Sequence, residues 1–167
     1  IMRTLDIFMS VPDILFTMAV VVALGSNFTN LLIALTLAYF TNYVRLVRSQ
    51  VLNLSELEYV EAARAGGSGN VRIILSHIIP NAVGVIIVNV TLNIAKIIIY
   101  ESTLSFLGLG MPPPQPEWGL MLSEAREFMR KAPFLLFYPA LAIVLCACSV
   151  NLVGDGLRDA LDPHLKS

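Results

Sequence analysis

Four stretches of the chain, 14–24, 31–40, 82–95 and 134–153, contain no Lys, Arg, Asp or Glu, and polar segments bracket each of them. Uncharged apolar runs of this kind read as membrane spans, because a hydrocarbon core of about 30 Å takes about 20 helical residues. The pattern predicts a first span within Ile7–Leu24, with Pro12 and Asp13 near its start, and a second over Thr29–Val47 after the break at Gly25-Ser26-Asn27. A third covers Asn81–Tyr100 and a fourth Phe134–Val153. Helices are expected, since lipid cannot satisfy open strand edges and the alternation of a barrel strand is missing. The fold class is therefore all-α, a polytopic integral membrane protein with about four transmembrane helices.

The segments between spans differ in character. Around 48–80 the chain is polar and rich in small residues. Leu54–Ala65 reads as a helix there, with Ser55 and Glu58 forming a capping box. Val71, Ile74, Leu75 and Ile78 then fall at i, i+3, i+4 and i+7, the stripe of a second, amphipathic helix. Gly66-Gly67-Ser68-Gly69 between them permits positive φ and a sharp turn. The other long segment, 101–132, contains Met111-Pro112-Pro113-Pro114-Gln115-Pro116, expected to cross in an extended, stiff form, and then a moderately helical Glu117–Arg130.

Basic residues orient the spans. None lies between the first and second. Arg45, Arg48, Arg64 and Arg72 lie between the second and third, Arg158 and Lys166 follow the fourth, and Arg3 precedes the first. Those three regions are assigned to the cytoplasm and 101–132 to the outside. Arg126, Arg130 and Lys131 there run against the rule; Glu101, Glu117, Glu124 and Glu127 offset them in charge only.

Composition agrees with a membrane solvent: 56% of residues are hydrophobic and 14% charged, with mean hydropathy +0.75. The net charge of −1 favours no nucleic acid. Cys146 and Cys148 sit two apart in the last apolar run, point to different sides of a helix and read as small packers. No secretory signal pattern is present. The chain opens at Ile1 inside an apolar or amphipathic segment, which suggests that earlier spans precede it.

Catalytic constellations are missing. Gly67-Ser68-Gly69 has Arg72 where a dinucleotide fingerprint needs its third glycine, and no phosphate-binding G-x4-G-K-[ST] run occurs. His77 and His164 are isolated, without a second ligand at metal spacing. Ser76 and His77, adjacent on a helix, point apart. The sequons at Asn27, Asn53 and Asn89 read as chance matches. The chain is not expected to be an enzyme, and no cofactor is assigned to it. The 48–80 segment offers a surface instead. Ala62, Ala63, Ala65, Gly66 and Gly67 make a thin helix end that a partner could approach closely. Glu61 and Arg64 are either fixed charges for that partner or a solvated i, i+3 ion pair.

Glu61-Ala62-Ala63-x3-Gly67-x10-Ile78-Ile79-Pro80 resembles the EAA loop of binding-protein-dependent ABC-importer permeases. Further runs resemble the dipeptide/oligopeptide/nickel branch of that family, and its second, C-type subunit most of all. They are Tyr43-x-Arg45-Leu46-Val47-Arg48, Glu58–Ala65, Leu104-Ser105-Phe106-Leu107-Gly108-Leu109-Gly110, Pro116-x-Trp118-Gly119-x-Met121-Leu122 and Asn151-Leu152-x-Gly154 through Pro163. They occur in order along nearly the whole chain.

The resemblance implies a partial type I ABC importer transmembrane domain over 1–167, lacking the first two of about six helices. It places the protein in the bacterial inner membrane with a second permease subunit, two ATPase subunits that carry ATP and Mg, and a periplasmic solute-binding protein. Residues 56–79, within the coupling loop 48–80, would be the helices of the cytoplasmic coupling helix-turn-helix. Glu61 would make a polar contact, Ala62 and Ala63 permit close seating beside Arg64, and Gly67 make the turn. Ile78 and Pro80 would lead back to the membrane. The implied cargo is a di- or oligopeptide; nickel or glutathione import, and a passive channel or scaffold without an ATPase, stand as alternatives. Gly66, where a larger apolar residue is usual, and Ile79, where leucine is common, depart from the pattern. So does Lys96, placed where the span is normally small and uncharged. It either snorkels outward or meets Glu101, or it lines the translocation path with Glu101.

Overall fold

A computed structural model describes residues 2–161; His164, Lys166 and Asp162-Pro163 lie outside the described residues. Within them the secondary structure is helical: α1 (Met2–Met9), α2 (Asp13–Leu24), α3 (Phe28–Ser55), α4 (Glu58–Ala65), α5 (Asn70–Ile73), a π turn (Ile74–Ile78), α6 (Ile79–Phe106), α7 (Trp118–Ala125), a 3₁₀ turn (Arg126–Phe128) and α8 (Phe134–Leu161).

Three segments are long and apolar enough to cross a membrane by length and composition: Phe28–Ser55, Asn70–Phe106 and Phe134–Leu161. At 1.5 Å per residue a 28-residue helix is about 42 Å long, more than the hydrocarbon core requires. The first predicted span is divided. Pro12, with ψ 134°, holds the chain extended between α1 and α2. A proline also disfavours helix in the residue before it, here Val11. That leaves α2 with 12 residues, about 18 Å of helix.

The α2–α3 hairpin follows from its turn residues. Gly25, at φ 90°, ends α2. The Asn27 side chain caps α3 by accepting from the Asn30 amide at 2.9 Å, and Asn30 Nδ2 donates to the Leu24 and Gly25 carbonyls at 2.7 and 2.9 Å. Val21 of α2 then packs on Leu31, Ala34, Leu35 and Ala38 of α3, with Leu104 of α6 completing the cluster. Just past the middle of α3, Arg45 pairs with Asp6 of α1 at 2.7 Å and Asn42 Nδ2 donates to Asp13 of α2 at 3.1 Å.

Small residues bring the remaining helices together, as expected where lipid gives helices no hydrophobic reason to associate. Pro139, Ile143, Ala147 and Gly154 are the buried seam of α8. A methyl group on Gly154 would lie 2.8 Å from Leu92 Cδ2 of α6. On α7, a methyl on Gly119 would lie 2.5 Å from the Ser102 carbonyl oxygen, so α7 rests directly on α6 backbone. Apolar side chains elsewhere face outward: Leu152 is 72% exposed, Tyr138 65% and Phe137 60%. The α6 C-terminus, α7 and the α2–α3 turn share one end of the bundle. The α3 C-terminus, α4 and α5 share the other.

The proline-rich segment differs from its extended expectation. Gln115 N–H donates to the Pro112 carbonyl at 3.4 Å, closing a turn that contains a cis Pro113–Pro114 peptide. The Glu117 carboxylate also accepts from the Met111 amide at 3.2 Å, drawing the two ends of the segment together. A single side chain thus folds back a run whose composition favours a straight crossing.

Candidate functional site

The surface carrying Glu61 is built on α4, eight residues long. Isolated helices shorter than about 12–15 residues are marginal in water, so tertiary contacts must hold this one. Glu58 and Glu61 lie in its first turn and Arg64 in its last, the arrangement that complements the helix dipole. The C-terminus closes as a Schellman motif: Ser68 N–H donates to the Ala63 carbonyl and Gly67 N–H to the Arg64 carbonyl, both at 3.1 Å. Gly67 occupies the left-handed position at φ 80°. The predicted turn is therefore present, and Gly67 is the residue that makes it.

The start of α4 differs from the expected capping box. Ser55 is the last residue of α3, and its hydroxyl donates back to the Leu52 carbonyl at 2.8 Å. Leu57 is the N-cap of α4, without a side-chain cap. Because α3 runs on as helix to Ser55, the break falls at Glu56-Leu57, leaving Ser55 on the wrong side of it to cap α4.

Beneath α4, Val60 is fully buried against Ile73 and Ile78, with Val51, Leu54 and Ala63 around them. At the rim the Tyr59 and His77 rings lie 6.1 Å apart. Asn81 Nδ2 donates to the His77 carbonyl at 2.7 Å and, more weakly, to the Tyr59 hydroxyl at 3.4 Å. Of the predicted stripe only Ile78 packs: Val71, Ile74 and Leu75 are 70%, 44% and 60% exposed. The π turn explains the difference. Pro80 has no N–H to donate and its ring would meet the Ser76 carbonyl of an ordinary α turn. The chain widens, Ile79 N–H reaches back to the Ile74 carbonyl, and Ile73 and Ile78 come to one face although they are five residues apart.

The structure thus divides the predicted coupling residues by position. Glu61, Ala62, Arg64 and Gly67 are exposed, Ala63 is half-buried, Ile78 is buried in the seat and Pro80 is exposed at the start of α6. Glu61 and Arg64 make no ion pair with each other. Val60, Ile73, Tyr59 and Asn81 escaped the sequence reading as parts of this seat, and His77 was read only as an isolated histidine. Val60 and Ala63, at i and i+3, were the available signal, but their partners lie across a register shift that periodicity does not carry.

At the other end of the bundle, Lys96 is exposed and Glu101 half-buried, with no ion pair between them. Five positions apart on a helix they are some 140° apart in azimuth. Glu101 lines a cleft of about 360 Å³ between α3, α6 and the segment 111–121, which Glu117 and Trp118 also line. Glu117 is only 8% exposed; Met111 N–H binds its Oε2, while Oε1 has no partner. Burial pushes its carboxyl above the ordinary range, partly opposed by the Met111 hydrogen bond. The sequence reading counted Glu117 only as a charge offsetting nearby basic residues, and its place between Pro116 and Trp118 was the one hint of burial.

Residues 1–167 match the family of binding-protein-dependent transport system inner membrane components. The chain belongs to that family. It is a multi-pass inner-membrane chain, in keeping with its three long apolar helices. It is 46% identical over 167 residues to a dipeptide transport system permease protein of Alkalihalophilus pseudofirmus, covering 100% of this chain and 55% of the relative. It is likewise 46% identical to a glutathione transport system permease protein of Pectobacterium atrosepticum, covering 100% of this chain and 56% of that one. The corresponding Escherichia coli glutathione permease is 47% identical over 166 residues, or 99% of this chain and 55% of the relative. The chain therefore spans a little over half the length of these relatives.

Proposed function

We propose that the chain is part of the permease subunit of an ATP-driven ABC importer that carries di- or oligopeptides, or a closely related solute, into the bacterial cytoplasm. The partners are a second permease subunit, two ATPase subunits binding ATP and Mg, a periplasmic solute-binding protein and the bilayer. The observation that carries this reading is the seat of α4. An exposed face of Glu61, Ala62 and Arg64 rides on a buried Val60–Ile73–Ile78 contact that joins α4 to the start of a 28-residue apolar helix. A push on α4 is delivered to α6 through close-packed side chains, the physical requirement for a rigid-body switch between two arrangements of the bundle.

In this mechanism the α4 surface sits in a cleft of an ATPase subunit. Glu61 supplies a charged contact there, and Ala62 leaves room for close approach. ATP-driven closure of the ATPase pair moves α4, and α6 follows. Gly67→Pro cannot hold φ 80°, and Glu61→Lys reverses the charge at the contact while leaving the buried seat alone. The test is uptake by the full-length permease assembled with its partners. Both variants should insert in the membrane, co-purify less ATPase and lose ATP-coupled uptake. Unimpaired uptake in both would favour the passive channel or scaffold. The dipeptide and glutathione names of the relatives favour a peptide-like cargo, and competition between dipeptide, glutathione and nickel for uptake decides among them.

A further inference from the structure

We propose that the face of α6 carrying Asn89, Asn93, Lys96 and Tyr100 binds the carboxylate of the transported solute, with the Lys96 ammonium as its cation. The source of that carboxylate rests on the importer reading; the site itself rests on the geometry of α6.

These four residues follow one another at i, i+4, i+7 and i+11, so on a regular helix they lie within about 60° of one another. Val83, Ile87, Val90 and Ile94, 40–43% exposed, form a second stripe centred about 120° away. An exposed apolar stripe on a span is the side that lipid covers, and the polar stripe is turned away from it. Neighbouring helices frame the polar stripe. Ile97, Tyr100 and Leu104 pack toward α3, with the Tyr39 and Tyr100 rings 6.0 Å apart. Leu92 meets Gly154 of α8. By the same angles Asn89 and Lys96 fall between those two contacts, on the floor of a trough between α3 and α8. Glu101 lies on the other side of the α3 contact, in the cleft with Trp118.

Lys96 stands in the α7 half of α6 but not at its end. Phe106 is ten residues on, about 15 Å. The Tyr39–Tyr100 and Gly154–Leu92 contacts set it more than about 20 Å from the Phe28 and Phe134 ends of α3 and α8. A four-carbon stem does not reach water at that end over such a distance. An ionisable side chain within a span is costly and marks a pathway or a partner. Lys96 is exposed, and it makes no ion pair or hydrogen bond among the described residues. The asparagines narrow the choice of anion. Asn89 and Asn93 each return a side-chain N–H to a carbonyl of their own helix, at 2.8 and 2.9 Å. The side-chain oxygen is then what each offers to a solute. An acceptor beside a cation suits an acylated amino acid, the end of a peptide, which carries an N–H next to its carboxylate.

The test uses the full-length permease assembled with its partner permease and ATPases, in phosphatidylcholine nanodiscs. Lysines are reductively methylated with carbon-13 formaldehyde, and the Lys96 methyl signal is assigned by its loss in Lys96→Arg. N-acetylalanine, the end of a peptide in miniature, should shift that signal saturably. N-acetylalanine amide, of matching shape but neutral, should leave it in place. Asn93→Leu keeps the ammonium and removes the neighbouring acceptor, and should weaken N-acetylalanine about fivefold, as loss of one hydrogen bond does. A signal that N-acetylalanine does not move overturns the proposal; a Lys96 already paired with a carboxylate of the second permease subunit would give that result. An equal response to the amide, or unchanged affinity in Asn93→Leu, overturns it as well. Glu61→Lys and Gly67→Pro report on uptake through other residues, so this site and the importer reading fail separately.

Discussion

Replacing Val60 with alanine removes two methyl groups from a side chain that has no solvent exposure. Each buried carbon contributes about 0.8 kcal/mol, and the incompletely filled space adds to the loss, giving about 2 kcal/mol. The structure directs that loss to one place. Val60 is the fully buried apolar side chain of α4, and its neighbours Ile73 and Ile78 belong to the segment that continues into α6. An eight-residue helix has little stability of its own, so the lost contact appears as local opening of α4 rather than unfolding of the bundle. At 1.4 kcal/mol per tenfold, 2 kcal/mol corresponds to roughly 30-fold faster exchange of the α4 amides. Hydrogen–deuterium exchange on the assembled full-length transporter measures this directly. Protection at Glu61–Ala65 should fall in Val60→Ala while the α8 amides keep theirs. Glu61→Ala, on the exposed face of the same helix, should leave α4 protection within about threefold, in line with the small effect of ordinary surface substitutions. Unchanged α4 protection in Val60→Ala, or an equal loss across α8, refutes the local seat.

Gly119→Ala should destabilise the bundle by about 1–3 kcal/mol, since its methyl would lie 2.5 Å from the Ser102 carbonyl oxygen; a lowered Tm in detergent checks it, and Gly156→Ala, with open space around it, is the control. Burial raises the Glu117 carboxyl above its reference value of 4.5, so the stability it contributes is full below the unfolded pKa and is lost as pH rises through the folded one. The Tm of the parent relative to Glu117→Gln should therefore decline from acidic to neutral pH, and a flat difference contradicts the burial argument. Lys96→Ala should reduce uptake without changing assembly if Lys96 lines the translocation path; full uptake in the variant returns Lys96 to a snorkelling role.

The apolar stretches identified three long helices because the relevant property, absence of charge over a helical length, is local. The turns were legible for the same reason. Gly25 and Gly67 adopt the positive φ that only their residue type takes easily, and Asn27 caps the helix it precedes. The motif runs likewise placed the chain in its family without any coordinates. Three features needed the tertiary structure. The stripe Val71–Ile74–Leu75–Ile78 assumed unbroken α periodicity, but the π turn before Pro80 shifts the register and selects Ile73 and Ile78 to meet Val60. Ser55 had the composition of a cap, yet α3 continues through it, and only the course of that helix decides which residue comes next to the break. Glu117 could be counted as a charge, but its burial depends on helices far away in sequence closing over it. Spans and turns are thus written residue by residue, while register and burial are set by what the rest of the chain brings alongside.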